Sequence, residues 1–266
     1  MSRIAFGLSY SGQNYEGWQS QLSTQTVQDQ LEKALLAFAQ LPIKTLCAGR
    51  TDAGVHALQQ VVHFDAPVDR DLNSWVRGTN RYLPSDVAIQ WAQEMPAEFH
   101  ARACARSRRY SYLLLQSAVR PSIEHQRVGW MAKPLDLAAM QEASRHLLGT
   151  HDFSSFRASQ CQALSPVKTL MHADIVQKSS HPGHAYYRFD FEANAFLHHM
   201  IRNLIGCLVQ VGIGAQEPQW VQRVILARDR KQAAPTFSAH GLYFLGPCYD
   251  AHWGLPMGTP SYDWIL

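Results

Sequence analysis

Apolar and polar residues alternate through residues 3–10, R-I-A-F-G-L-S-Y, as a strand requires, and S-G-Q-N ends the run. From Val27 the period lengthens. Val27, Leu31, Ala34, Leu35 and Phe38 share one helical face, with Thr26 in the N-cap place and Asp29 three residues on as a variant capping box. The spacing predicts a helix to about Gln40, a strand near 60–65, a helix over 72–82 and a strand over 86–93 that alternates Val87, Ile89 and Trp91. The second half repeats the order. A strand is predicted over 109–116, then a helix capped by Asp136 with Leu137, Met140, Ala143, Ser144 and Leu147 on one stripe, stopped at Gly149. Strands over 170–178 and 185–193 follow, the latter facing Tyr187, Phe189 and Phe191 one way. A long helix over 196–214, a shorter one over about 219–228 and a strand over 241–249 close the pattern.

Two successive β-α-β-β-α-β patterns predict an α+β fold of two ferredoxin-like or RRM-like α/β halves with mainly antiparallel sheets. The boundary is placed near residue 104, giving domains 1–104 and 105–266, although no Pro/Gly linker marks it. The connection over 148–167 is long, as functional segments often are.

A chain of 266 residues, 46% hydrophobic and 17% charged, is composed like a soluble globular protein and is long enough to bury real cores. No apolar run reaches the roughly 18 residues of a membrane span, and the first residues lack a signal peptide's cleavage pattern. Five scattered cysteines without C-x-x-C imply free thiols in a reducing cytoplasm. The net charge of +3 permits nucleic-acid binding without requiring it. Its distribution is more informative. Arg102, Arg106, Arg108 and Arg109 crowd one stretch, and Arg223, Arg228, Arg230 and Lys231 another. Such runs are commonly solvated faces, but Tyr110 and Tyr112 follow the first and would set stacking planes beside phosphate contacts.

One carboxylate stands out. Residues 48–57 read A-G-R-T-D-A-G-V-H-A, with Asp52 between Gly49 and Gly54 and Arg50 two residues upstream. Glycines on both sides allow a sharp bend, and in extended backbone Arg50 and Asp52 share a face, where a guanidinium favours the ionised acid. Alone, G-x-x-D-x-G fits an ordinary turn in which the aspartate bonds its own backbone. His198 and His199 invite a metal reading, yet neighbours on a helix point about 100° apart, and neither H-x-x-x-H nor C-x-x-C occurs. No metal site is expected. His56 and His63 read as structural groups or RNA contacts, and there is no P-loop or G-x-S-x-G.

Further segments complete the picture: Y-E-G-W-Q-S-Q from Tyr15, T-V-Q-D-Q-L-E-K-A-L from Thr26, F-H-A-R from Phe99 and R-R-Y-S-Y from Arg108. Later come H-D-F-S-S-F-R from His151, S-P-V-K-T from Ser165, F-L-H-H-M-I-R-N from Phe196 and A-H-G-L from Ala239. With G-R-T-D-A-G-V-H-A, these ordered segments resemble the TruA family of tRNA pseudouridine synthases over nearly the whole chain. The resemblance implies two α/β domains around a central cleft. It also implies an isomerase that converts uridine to pseudouridine in the anticodon stem-loop of tRNA, at positions 38, 39 and 40, and a homodimer whose chains share one tRNA. It makes Asp52 the catalytic residue, as nucleophile or base. It puts Tyr110 on the uracil ring, Arg202 beside the aspartate and Leu242 as an apolar wall.

Pseudouridine formation breaks the N1–C1′ bond, turns the base and joins C5 to C1′, with no redox step or outside group, so no cofactor is expected. Whether Asp52 attacks C1′, attacks C6 or removes a sugar proton stays open. A target base must leave its stack first, and Arg50 is the candidate to fill the vacated space or hold the flanking phosphate. Two other readings stand beside this one: a paired-sheet RNA-binding module without chemistry, and a glycosidic-bond hydrolase. The hydrolase is disfavoured because such enzymes use two carboxyl groups.

Overall fold

A computed structural model describes residues 2–181 and 183–256. The chain forms two compact units, one comprising residues 2–108 and 243–256, the other residues 109–242. The expected domains ended and began at 104 and 105.

In the first unit, β1 (Arg3–Tyr10) leads to α1 (Val27–Ala39), β2 (Leu46–Cys47), β3 (His56–Asp65), α2 (Leu72–Asn80) and β4 (Val87–Met95). β1 is central and antiparallel to both neighbours, with Phe6 opposite Val62 on β3 and Ala92 on β4. The two-residue β2 pairs antiparallel with β3, Leu46 against His63, so residues 48–55 are the connection of a hairpin. α1 starts as its sequence predicts. The Thr26 hydroxyl accepts from the Asp29 amide at 3.2 Å and donates to its carboxylate at 2.5 Å. Val27, Leu31, Ala34 and Leu35 are buried beneath it.

The second unit takes up most of β5 (Ser107–Gln116), then β6 (Gly129–Met131), α3 (Leu137–Arg145), β7 (Gly149–Asp152), β8 (Val167–His181), β9 (His184–Ala193), α4 (Met200–Gly212) and α5 (Gln219–Ala227). Its strands run β5-β9-β8-β7, with β8 antiparallel to both β9 and β7, and β6 pairs with β5. On β9, Ala185, Tyr187, Phe189, Phe191 and Ala193 are buried while the residues between them are not, the period of two that the sequence shows. The chain then returns to the first unit as β10 (Leu242–Cys248), parallel to β3 with Tyr243 opposite His56.

Two features depart from the sequence pattern. The connection over 148–167 contains β7 and a 3-10 turn, Ser154–Phe156, because Thr150 and its neighbours find open edge on β8. α4 begins at Met200, not 196. His198 spends its backbone groups on the segment 158–161, donating to the Cys161 sulfur at 3.4 Å and accepting from the Ala158 amide at 3.1 Å, and His199 is left-handed at φ 61°. The C-terminal residues 257–266 lie outside the described residues. Before them Trp253 packs edge-on to Phe99 at 5.2 Å, and Leu255 joins the same first-unit core.

Candidate active site

The hairpin connection carrying Asp52 is tied down residue by residue. The Ala48 amide donates to the Val61 carbonyl at 2.8 Å, and the buried Gln60 side chain donates to the Gly49 carbonyl at 2.6 Å. The Thr51 hydroxyl meets the Tyr10 hydroxyl at 2.8 Å, while its carbonyl accepts from the Trp18 amide at 3.0 Å. Asp52 opens a turn that the Val55 amide closes on the Asp52 carbonyl at 3.1 Å. Gly54 is the third residue of that turn, at φ 78°, where a Cβ is disfavoured. Its amide donates to the Tyr15 carbonyl at 3.3 Å. Thr51 is buried, Asp52 half-buried and Arg50 exposed, so the acid stands at the surface of a rigid loop.

Of the two glycines expected to bend this loop, only Gly54 takes positive φ. Gly49 does not. A Cβ there would approach the Phe244 ring to 3.4 Å, so its role is room for β10.

The sequence did not single out the braces. Segment 11–18 lies along the loop so closely that a Cβ on Gly12 would come within 2.1 Å of the Val55 carbonyl oxygen. On Gly17 it would come within 2.6 Å of the Thr51 oxygen. Tyr15 is fastened in turn by its hydroxyl, which donates to Asp86 at 2.5 Å, and Asn14 donates to the same carboxylate at 3.0 Å. This is the physical content of Y-E-G-W-Q, where the signal was a glycine between large residues. His56 accepts from the Gly12 amide at 3.2 Å and stacks on Tyr243 at 4.6 Å, a buried structural contact. His63, buried too, accepts from the Ala101 amide at 3.2 Å.

The basic run at 102–109 is partly internal. Arg108 donates to the carbonyls of Ala105, Arg102 and Ala48, the last at 3.2 Å and at the root of the Asp52 loop. Arg106 pairs with Asp250. Of the later run, Arg223 pairs with Glu217 at 2.6 Å, Arg228 with Asp152 at 3.6 Å, and Arg230 turns inward. Tyr112 is no stacking plane. It is fully buried and donates to the Ser238 carbonyl at 3.0 Å, and burial holds its hydroxyl far above the usual phenol range.

In the second unit Tyr110 lies on β5, 8% exposed, its ring edge-on to Phe196 at 5.2 Å. Phe196 lies ahead of α4, which begins at Met200. Arg202 sits in the first turn of α4, half-buried, its Nε donating to the Phe237 carbonyl at 2.9 Å. Leu242 is buried at the start of β10. His198 and His199 are not helical neighbours but lie in the turn before α4, their ring centroids 4.0 Å apart, so the helical argument about their directions does not apply.

A half-buried carboxylate on a fixed loop suits attack on, or proton removal from, a group presented to it, and the loop's many bonds remove the freedom that would blur such an approach. Comparison with known proteins gives the reaction class. The model of a family described as tRNA pseudouridine synthase matches residues 8–102 and 143–250. The chain is 63% identical to tRNA pseudouridine synthase A of Polaromonas naphthalenivorans over 99% of both chains. It is 65% identical to that of Albidiferax ferrireducens over 98% of both. Among solved structures, a chain of a Cbf5-Nop10-Gar1 complex is similar at 11% identity and a TM-score of 0.37, covering 91% of this chain and 49% of that one, too slight a likeness to carry an inference. With the family model matched on both sides of the middle and end-to-end identity above one half, this chain belongs to the tRNA pseudouridine synthases.

Proposed function

We propose that the protein isomerises uridine to pseudouridine at positions 38, 39 and 40 in the anticodon stem-loop of tRNA, with Asp52 as the catalytic nucleophile or base. The observation that carries this reading is the loop itself. G-R-T-D-A-G-V-H-A contains one carboxylate, and at least five hydrogen bonds fix the backbone around it. The reaction needs an acid in a set place more than it needs an outside reagent. The N1–C1′ bond opens, the uracil turns, C5 bonds to C1′, and the C5 proton leaves to solvent. Tyr110 covers the uracil ring, Arg202 steadies the charge of the acid, and Arg50, exposed on the loop, holds the flanking phosphate or fills the space of the extruded base. Three adjacent target positions fit recognition of shape and backbone over recognition of base edges.

The chain is further proposed to act in the cytoplasm as a homodimer whose two copies grip one tRNA. Its relatives' names and its five free thiols support that setting.

The test is proton release from C5-labelled uridine in unmodified tRNA, with wild type beside Asp52→Asn and Asp52→Ala. Both variants should release none while binding tRNA nearly as well, since affinity rests on spread phosphate contacts. Turnover by either variant, or release of free uracil by wild type, would overturn the reading.

A further inference from the structure

Within the second unit the residue proposed to steady the catalytic acid is held by a strap of chain. Residues 233–237 run along α4. Phe237 makes a two-way contact with Arg202, its amide donating to the Arg202 carbonyl at 3.2 Å and its carbonyl accepting from Arg202 Nε at 2.9 Å. A guanidinium is planar, so a bond at Nε sets the plane in which its terminal nitrogens lie. Where the Phe237 carbonyl sits therefore sets the plane of the Arg202 guanidinium at its Nε.

The strap is fastened along its length. Arg230, in a 3-10 turn just before it, donates to the carbonyls of Ala233 at 3.3 Å and Ala234 at 2.9 Å. Its other terminal nitrogen donates to Thr236 Oγ1 and Asn203 Oδ1, both at 3.1 Å. The Thr236 hydroxyl closes a three-membered ring by donating to Asn203 Oδ1 at 2.7 Å. Asn203, fully buried on α4 beside Arg202, uses its amide nitrogen to hold the Phe156 carbonyl at 2.8 Å. The Ala234 amide donates to the Cys207 sulfur at 3.3 Å. At Gly206 a Cβ would stand 2.4 Å from the Pro235 carbonyl oxygen, so the strap lies this close only because α4 carries a glycine there. A helix-interior glycine is destabilising relative to alanine, and a buried asparagine needs every partner it has. Both are poor choices for plain packing, and both serve the strap.

We propose that Arg230 and Asn203 are positioning residues for the isomerisation, setting the direction of the Arg202 guanidinium through the strap and the Phe237 carbonyl. The proposal rests on the reading of Arg202 as a substrate-site residue. Its prediction is specific: the effect of Arg230 on rate travels through Arg202 Nε, so it should vanish where Nε is gone.

The test is single-turnover proton release from C5-labelled tRNA by Arg230→Met, Arg202→Lys and the double variant, with tRNA affinity measured separately. Lysine keeps the charge of Arg202 and lacks the Nε donor. Arg230→Met should slow the step roughly 10- to 100-fold, as a displaced positioning group does, with affinity nearly unchanged. On the Arg202→Lys background it should cost no more than about twofold, the scatter of independent sites. Equal slowing on both backgrounds would make Arg230 a stabilising residue only and overturn the proposal, as would full speed in Arg230→Met. Arg202→Lys as fast as wild type would instead overturn the reading of Arg202 itself, and the proposal with it. If Arg230→Met does not fold, Thr236→Val removes one member of the ring from an exposed position and is read the same way.

Discussion

The amide of Trp18 donates to the carbonyl of Thr51 at 3.0 Å, one residue ahead of Asp52, and Gly17 beside it has φ 97° and no room for a side chain. A stretch more than thirty residues upstream thus sets the backbone of the proposed catalytic loop. The contact is made by main chain against main chain.

Gly17→Ala should therefore damage both stability and turnover. The added Cβ meets left-handed strain of about 1–2 kcal/mol and a carbonyl oxygen at 2.6 Å, which must move and take the Asp52 loop with it. Gly214→Ala is the control. It also has positive φ, at 72°, but nothing stands within 4 Å of its Cβ, so strain alone should appear and turnover should hold. Urea unfolding and proton release from labelled tRNA on the two variants separate the effects; equal turnover would argue against the brace.

His63 should make the fold acid-sensitive. Burial, the His100 ring at 4.7 Å and the charge of Arg3 push it down to about 4, against an ordinary value near 6.5. Between those two values the unfolded chain holds a proton on this histidine and the folded chain does not. Stability contributed by its neutral form is then present above about pH 6.5, falls as pH drops toward 4, and levels off below. The loss is on the order of 3 kcal/mol for this group. His63→Gln, which keeps an acceptor for the Ala101 amide, should flatten the slope of stability against pH in that window. An unchanged slope would mean the loss lies elsewhere.

Among the five thiols, Cys161 should react first with an alkylating reagent at neutral pH. Burial opposes its charge, but the amides of Ala163 and His198 and the Arg157 guanidinium outweigh burial and hold it below the usual range. Cys47 and Cys207 are pushed up to about 11 by burial and should lag behind. Mass spectrometry of the native protein after a short exposure to iodoacetamide gives the order directly.

Local chemistry was enough for much of the molecule. Thr26 and Asp29 mark where α1 starts because a cap is satisfied within three residues. The alternation Tyr187, Phe189, Phe191 marks β9 because side-chain period is a property of the strand alone. The turn at Asp52 was legible for the same reason: it closes on itself through the Val55 amide, with Gly54 at positive φ.

What needed the tertiary structure was every role assigned by a distant partner. Residues 196–199 have a helical sequence, yet bonds from Ala158 and to Cys161 claim the backbone of His198 and α4 starts late. Arg108 and Arg230 look like two more surface cations in basic runs, and each proves to be a cross-brace for carbonyls. Tyr112 reads as a stacking plane until its burial is known. A period or a cap is written into neighbouring residues, whereas burial and a partner 60 residues away are decided only when the chain has closed on itself.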